Sequence, residues 1–475
     1  MTTRPPLLQF SSSSLPLITL LVIASLISAC AEGDGPPASP GEHATLAVEF
    51  VSVVPMDGER VLPDMTVLIG GGRVVAMGPA DDVAVPEGAL RVNGRGRFLI
   101  PGLNDMHVHF QEEQALVRFV ATGVTGVRVL WGGQSTLDLR DRIARGELTG
   151  PDIYTAGTII EGLPPPELAA VIDTAGRVIV RDSTDGARAV REQHAAGYDF
   201  IKVYNNVPAS AYGGIVAEAR SLGIPVAGHV PFEVGLDGAL AAGQASIEHL
   251  RGYIWHLVPP DAARQPGADL RSRTLAWADG DLSRIRELAQ RTRDAGVWSV
   301  PTLAVRMILK PDRLVEAYLA TEEASHMPEG MRAFYTERMS IPWMSNFTPE
   351  DFERAMDGFA VADSLIRALV GVGAPLMAGT DTPPLGFALH RELEELVGAG
   401  LSPYQALEAA TVNPAVFLAR GPGAGMVVEG SPADLVLLDG NPLEDIGNTR
   451  RIAGVIRRGA WLDRAALDVM LGEGS

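Results

Sequence analysis

The spacing of apolar and polar positions changes character twice along the chain. From Leu46 the short runs "LAVEFVSVV", "MTVLIGGGRVVAMG" and "ALRVNGRGRFLIPGL" are split by turn residues, the rhythm of half-buried strands. The glycines at 70–72, between two alternating runs, predict a hairpin. A matching block returns near the far end in "GMVVEGSPADLVLLDG" and "RIAGVIRRGAWLD". Neither block has enough apolar area to stand alone. Together, residues 46–100 and 425–465 predict one small β-sandwich built from both ends of the chain.

Between them, over residues 101–424, apolar strands alternate with helix-like stretches. The strand candidates are "GLNDMHVHF", "GVTGVRVLW", "PDIYTAG", "DFIKVY", "IPVAGHV", "ASIEHL", "VWSVPTL" and "APLMAGTD". Eight β/α units predict an α/β chain whose larger part is a (β/α)8 TIM barrel, with its chemistry at the C-terminal strand ends. Residues from 306 to about 365 exceed an ordinary connection and are rich in Met and Phe, with one Trp. They predict a helical cap over the barrel mouth.

The first residues read as targeting rather than fold. Residues 1–29 carry Arg4 and then the apolar run "LPLITLLVIASLISAC", a signal-peptide pattern too short for a comfortable membrane span. The run ends at Cys30, the single cysteine, in a context that resembles a bacterial lipobox. Cys30 is therefore the expected lipidation site and membrane anchor of an exported lipoprotein. Ala31 after it favours the outer membrane, facing the periplasm, by the same resemblance. Residues 30–45 are rich in Gly, Pro and Ser and read as a flexible tether.

Charge narrows the function. A formal net charge of −19 argues against nucleic acid, whose phosphates need a basic footprint. Arginine is the default cation, and the only lysines are Lys202 and Lys310. A lysine inside the apolar strand "FIKVY" therefore suggests amine chemistry.

The candidate chemistry gathers at the strand ends. The first strand ends in His107 and His109, the fourth in Lys202 and Tyr204, the fifth in His229, the sixth in His249 and the eighth in Asp381. In each pair the residues are two apart and share a strand face. Singly, each has a structural explanation: a hydrogen-bonded core histidine, a turn-capping aspartate, a snorkelling lysine. Jointly, six potential ligands on five strands at one end of a barrel point to a metal site.

The motifs "PGLNDMHVH", "FIKVY", "PVAGHV", "SIEHL" and "AGTDT", with the flanking "GSPADLVLLDGNPL", resemble the amidohydrolase superfamily in its two-metal form with a carboxylated lysine. The imidazolonepropionase-like and prolidase-like group is nearest, by "HRELEELVGAGLSPYQALEAATVNPA". The resemblance implies two divalent ions, zinc first among them. His107, His109 and Asp381 would bind one ion, His229 and His249 the other, and Lys202 would bridge them as N6-carboxylysine. Asp381 would also move the proton, and Tyr204 would hydrogen-bond the substrate carbonyl. The implied reaction is metal-assisted cleavage of an amide or peptide-like C–N bond in a small molecule or peptide, of dipeptidase or carboxypeptidase type. A lactonase, carbamate or phosphotriester hydrolase could use the same site. A catalytically inactive surface-binding lipoprotein is the non-enzyme alternative, and a homo-oligomer is compatible with either. Arg251, Arg306 and His390 are candidates to meet a substrate carboxylate, and Trp131 and Tyr253 to line an apolar subsite.

Overall fold

The computed structural model describes residues 43–164, 174–258, 270–327, 329–341 and 344–473. The expected signal peptide, Cys30 and most of the tether lie outside these residues.

The two β-rich blocks pair directly. β1 (Leu46–Val53), β2 (Leu62–Gly70), β3 (Arg73–Pro79), β4 (Leu90–Asn93) and β5 (Phe98–Pro101) come from the first block. They form one eight-stranded sheet with three strands from the other end, whose bounds are Leu435–Leu438, Ile452–Arg457 and Ala460–Asp463. The join is antiparallel, with Leu435 opposite Pro101 and Leu438 opposite Phe98. Both ends of the chain thus contribute strands to a single connected sheet. It has its own core, in which Val48, Val67 and Leu99 meet Leu435, Leu437 and Ile456. Each block supplies apolar side chains that the other lacks.

The middle of the chain is parallel. β6 (Leu103–Val108), β7 (Val124–Val129) and β8 (Asp152–Thr155) form a three-stranded sheet. A six-stranded sheet contains β9 (Ile160–Glu161), β10 (Val178–Ile179), β11 (Ile201–Val203), β12 (Val226–Gly228), β13 (Ser246–Glu248) and β14 (Trp298–Val300), in the order β10-β9-β11-β12-β13-β14. Seven of the eight expected strands are therefore present. A parallel bridge between Ala156 and Phe200 links the two sheets on one side.

The eighth candidate, "APLMAGTD", is not a strand run. Leu376 bridges Ser299, the Met106 amide donates to Ala378 O at 3.0 Å, and the Asp381 amide donates to His107 O at 2.7 Å. The Thr380 amide also points at His107 O, at 3.2 Å, so two donors converge on one carbonyl and the regular ladder ends. The segment still lies between β14 and β6 and carries Asp381 to the end of β6.

Helices follow the parallel strands and cover them by ordinary amphipathic burial. Ile285–Ala295 buries Ile285, Leu288, Ala289 and Thr292 and stops at Gly296 in the left-handed conformation. Pro349–Gly371 starts with a Thr348/Asp351 capping box and proline in its first turn. Before it, short helices at Asp312–Leu319, Glu322–Ser325 and Glu329–Thr336 occupy the expected cap segment. Met307, Tyr318, Tyr335, Phe347 and Phe352 give that segment its own small core.

Candidate metal centre

Strand geometry brings the expected residues to one cavity of about 410 Å³. His107, His109, Lys202, Tyr204, His229, His249 and Asp381 all line it. His107, His249 and Asp381 offer ligand atoms within 4.8 Å of one another. His109 Nε2 lies 2.9 Å from Asp381 Oδ1, and the His107 and His249 Nε2 atoms each lie 3.6 Å from an Asp381 oxygen.

The local backbone is shaped for this convergence. His249, Thr302 and Asp381 have φ of 59°, 52° and 49°, left-handed values that cost energy for residues with a Cβ, most of all for β-branched threonine. A Cβ on Gly228 would fall 2.9 Å from Lys202 Cδ and 2.3 Å from Val203 O. Glycine before His229 therefore leaves room for the lysine stem.

Three of the histidines share one hydrogen-bond pattern. Nδ1 of His107 meets Glu248 Oε2 at 2.8 Å, Nδ1 of His229 meets Asn205 Oδ1 at 2.8 Å, and Nδ1 of His249 meets Thr302 Oγ1 at 2.7 Å. Each ring is held by one nitrogen while the other is left for the cavity. His107 Nε2 and His109 Nδ1 are buried without a hydrogen-bond partner. An acceptor on one imidazole nitrogen fixes the tautomer that presents the other as a lone-pair donor, the usual support of a metal-binding histidine. The donor set thus fits divalent cations of borderline softness, zinc included.

Protonation states agree with that fit. Burial lowers the His107 pKa to about 4, and it holds His229 and His249 well below the ordinary value, so the rings are neutral near pH 7. Burial lowers the Lys202 amine to about 8 even though Glu248 and Asp381 favour its charge. Burial also pushes the Asp381 carboxyl up, but the imidazoles of His107, His109 and His249 overcome it and hold it well below the carboxylate range.

Several supporting residues escape a reading of strand ends alone. Arg128, fully buried, donates to Met106 O at 2.7 Å, Ser246 Oγ at 2.8 Å and Glu248 Oε1 at 2.9 Å. Asp105 accepts from the Thr380 amide at 3.0 Å and its hydroxyl at 2.8 Å, tying β6 to the segment that carries Asp381. A charged residue inside an apolar strand, as in "GVRVLW" or "SIEHL", signals a buried partner, but only the fold identifies it.

The proposed substrate residues divide. Trp131 lies edge-on to His109 at 6.3 Å, and Arg251 lines the cavity with its Nε lacking a hydrogen-bond partner. Arg306 also lines it, paired with Asp363 and lying over Phe359. Tyr253 does not reach the cavity. It is fully buried in the main core with its hydroxyl 2.9 Å from Thr292 Oγ1. His390 does not reach it either: Nδ1 meets Thr449 Oγ1 at 3.0 Å and Nε2 meets Thr122 O at 3.1 Å. Aromatic walls also come from Trp255 and Trp277, in the connection after β13, outside the expected cap.

Comparison with known proteins gives the same neighbourhood. The model of a family described as "Amidohydrolase family" matches residues 98–462. An ochratoxinase of Aspergillus niger is 23% identical over 86% of this chain and 84% of its own length. A solved structure named as bottromycin amidohydrolase superposes with a TM-score of 0.70 at 26% identity, covering 94% of this chain and 95% of that one. A putative prolidase from Bifidobacterium longum gives 0.64 at 24% identity, over 90% and 98%; this likeness shows the fold.

Proposed function

The chain belongs to the amidohydrolase family, and on that premise we propose a divalent-metal-dependent hydrolase that cleaves an amide or peptide-like C–N bond. The observation that carries the reading is the trio His107, His229 and His249, each anchored through Nδ1 and lining one cavity with Asp381 and Lys202, with the His107 and His249 Nε2 atoms 3.6 Å from Asp381 oxygens. His107, His109 and Asp381 would hold one ion and His229 and His249 a second, with Lys202 as its carbamate between them. A neutral amine is what carbon dioxide needs to form a carbamate, and a pKa near 8 leaves an appreciable neutral fraction near neutral pH. On this reading the parallel strands close as a (β/α)8 barrel through the Pro375–Asp381 segment.

When bound, two such ions would lower the pKa of a shared water and polarise the scissile carbonyl. The chain's own groups do the rest. Asp381, ionised at neutral pH, accepts a proton from the attacking water and returns it to the leaving nitrogen. Tyr204, stacked on His229 at 4.0 Å, offers its hydroxyl to the carbonyl oxygen as charge develops there. Arg251 meets a carboxylate on the substrate, while Trp131, Trp255 and Trp277 supply apolar walls. Dipeptides and N-acyl amino acids have this chemistry.

The test is a turnover screen of dipeptides, N-acyl amino acids and lactones with metal-loaded protein, beside metal analysis of Lys202→Ala. The expected result is hydrolysis of amides, and loss in the variant of about one metal equivalent and at least about a hundredfold in rate. Turnover of lactones alone would overturn the C–N assignment. A Lys202→Ala protein with both metals and normal rate would overturn the bridge.

A further inference from the structure

A second, larger cavity of about 910 Å³ lies among the cap helices, the helix Phe387–Gly398 and the C-terminal strands and helix. Acidic and basic side chains line it, and most are matched. Arg450 binds Glu394 through two nitrogens, each at 2.9 Å, and donates to Glu323 at 2.7 Å. Tyr318 donates to Glu323 at 3.1 Å, and Lys310 pairs with Glu395.

Arg391 is the exception. It is only 5% exposed, yet Nε, Nη1 and Nη2 all lack a hydrogen-bond partner. Its contacts are an ion pair with Glu323 at 3.4 Å and the Tyr318 ring, 4.2 Å below the guanidinium. A buried donor without an acceptor is destabilising, and more so when charged. Glu323 relieves it only in part: its Oε1, 3.4 Å from Nη1, also accepts from Tyr318, and its Oε2 accepts from Arg450.

The cavity beside Arg391 is partly apolar, with Met307, Leu314, Phe387, Ile452 and Leu471 in its walls. A planar guanidinium matches a carboxylate in a two-bond fork, and the apolar walls favour a hydrocarbon body on that carboxylate. We propose that this cavity is a second ligand site, which binds a small organic carboxylate with an apolar body through Arg391. The site does not depend on the hydrolase reading. It does share a wall with the metal centre, since Val305, Arg306 and Leu309 face the first cavity and Met307 and Lys310 the second.

Because Arg251 could also attract a carboxylate, the test separates the two cavities. Binding of benzoate, with benzamide as its uncharged counterpart, is measured by thermal shift and calorimetry on the metal-loaded full chain. The variants are Arg251→Met, Arg391→Met and Ala317→Trp, the last obstructing the second cavity from an exposed helix position. Benzoate, but not benzamide, is expected to bind wild type and Arg251→Met. In Arg391→Met and Ala317→Trp its affinity should fall at least about tenfold. Unchanged binding in either of those two variants, or loss in Arg251→Met alone, would overturn the site. Inorganic phosphate binding as tightly as benzoate would overturn the carboxylate assignment. Should Arg391→Met fail to fold, Ala317→Trp decides.

Discussion

The metal centre and the region around His390 use the same residue type at similar depth, to opposite ends. His107, His229 and His390 are all nearly inaccessible to solvent, and burial holds all three below the ordinary imidazole pKa. The difference lies in their nitrogens. His390 spends both on Thr449 and Thr122, so it joins two parts of the fold and has nothing left for a ligand. His107 and His229 each spend Nδ1 on one acceptor and keep the other nitrogen for the cavity. Burial alone does not distinguish a ligand from a core histidine; the number of nitrogens already engaged does.

The strongest way to break this contrast is at Asp381, where three of the four cavity imidazoles, those of His107, His109 and His249, converge. Asp381→Asn should lower kcat by at least about a thousandfold, because on the proposed reading it removes both a metal ligand and the proton acceptor. Steady-state kinetics with saturating metal checks this, and near-normal turnover would mean that the cluster is not catalytic.

A smaller effect is expected one shell out. Glu248 joins Arg128 to His107, and Glu248→Gln keeps the shape while weakening the hold on the ring. Metal affinity should fall about 10–100-fold, measured by competition with a chelator. An unchanged affinity would show that the Nδ1 anchor is dispensable.

The smallest effect on activity belongs to His390. His390→Gln should keep its metal and turnover while losing about 1–3 kcal/mol of stability in denaturant unfolding. Its pH dependence has a definite sign. The folded pKa is lowered to about 3 from 6.5, so between those values the unfolded chain binds a proton that the folded chain does not. Its contribution is therefore fully present above pH 6.5 and is lost as pH falls toward about 3. His390→Gln should lose less stability than wild type on acidification through that window. Loss of metal in this variant would erase the distinction between the two regions.

Much of the architecture could be read before any coordinates. Period-two runs at both ends predicted strands that needed each other, and Phe98–Pro101 does pair with Leu435–Leu438. Alternating apolar strands and helices placed the chemistry at strand ends, and the side chains of His107, Lys202, His229, His249 and Asp381 do meet in one cavity. Such features are legible because periodicity and strand-end position are local properties, set by the geometry of a few successive residues.

What the tertiary structure alone decided is pairing across the chain. Nothing near His107 in sequence announces Glu248, 141 residues away, and nothing near Arg391 announces that Glu323 is shared with Arg450 and Tyr318. Tyr253 and His390 looked like substrate residues by chemical type, and their packing partners turned them inward. Residue type and local rhythm determine what a side chain can do. Only the fold, by bringing distant acceptors to particular nitrogens, decides which of those capacities is left over for a ligand.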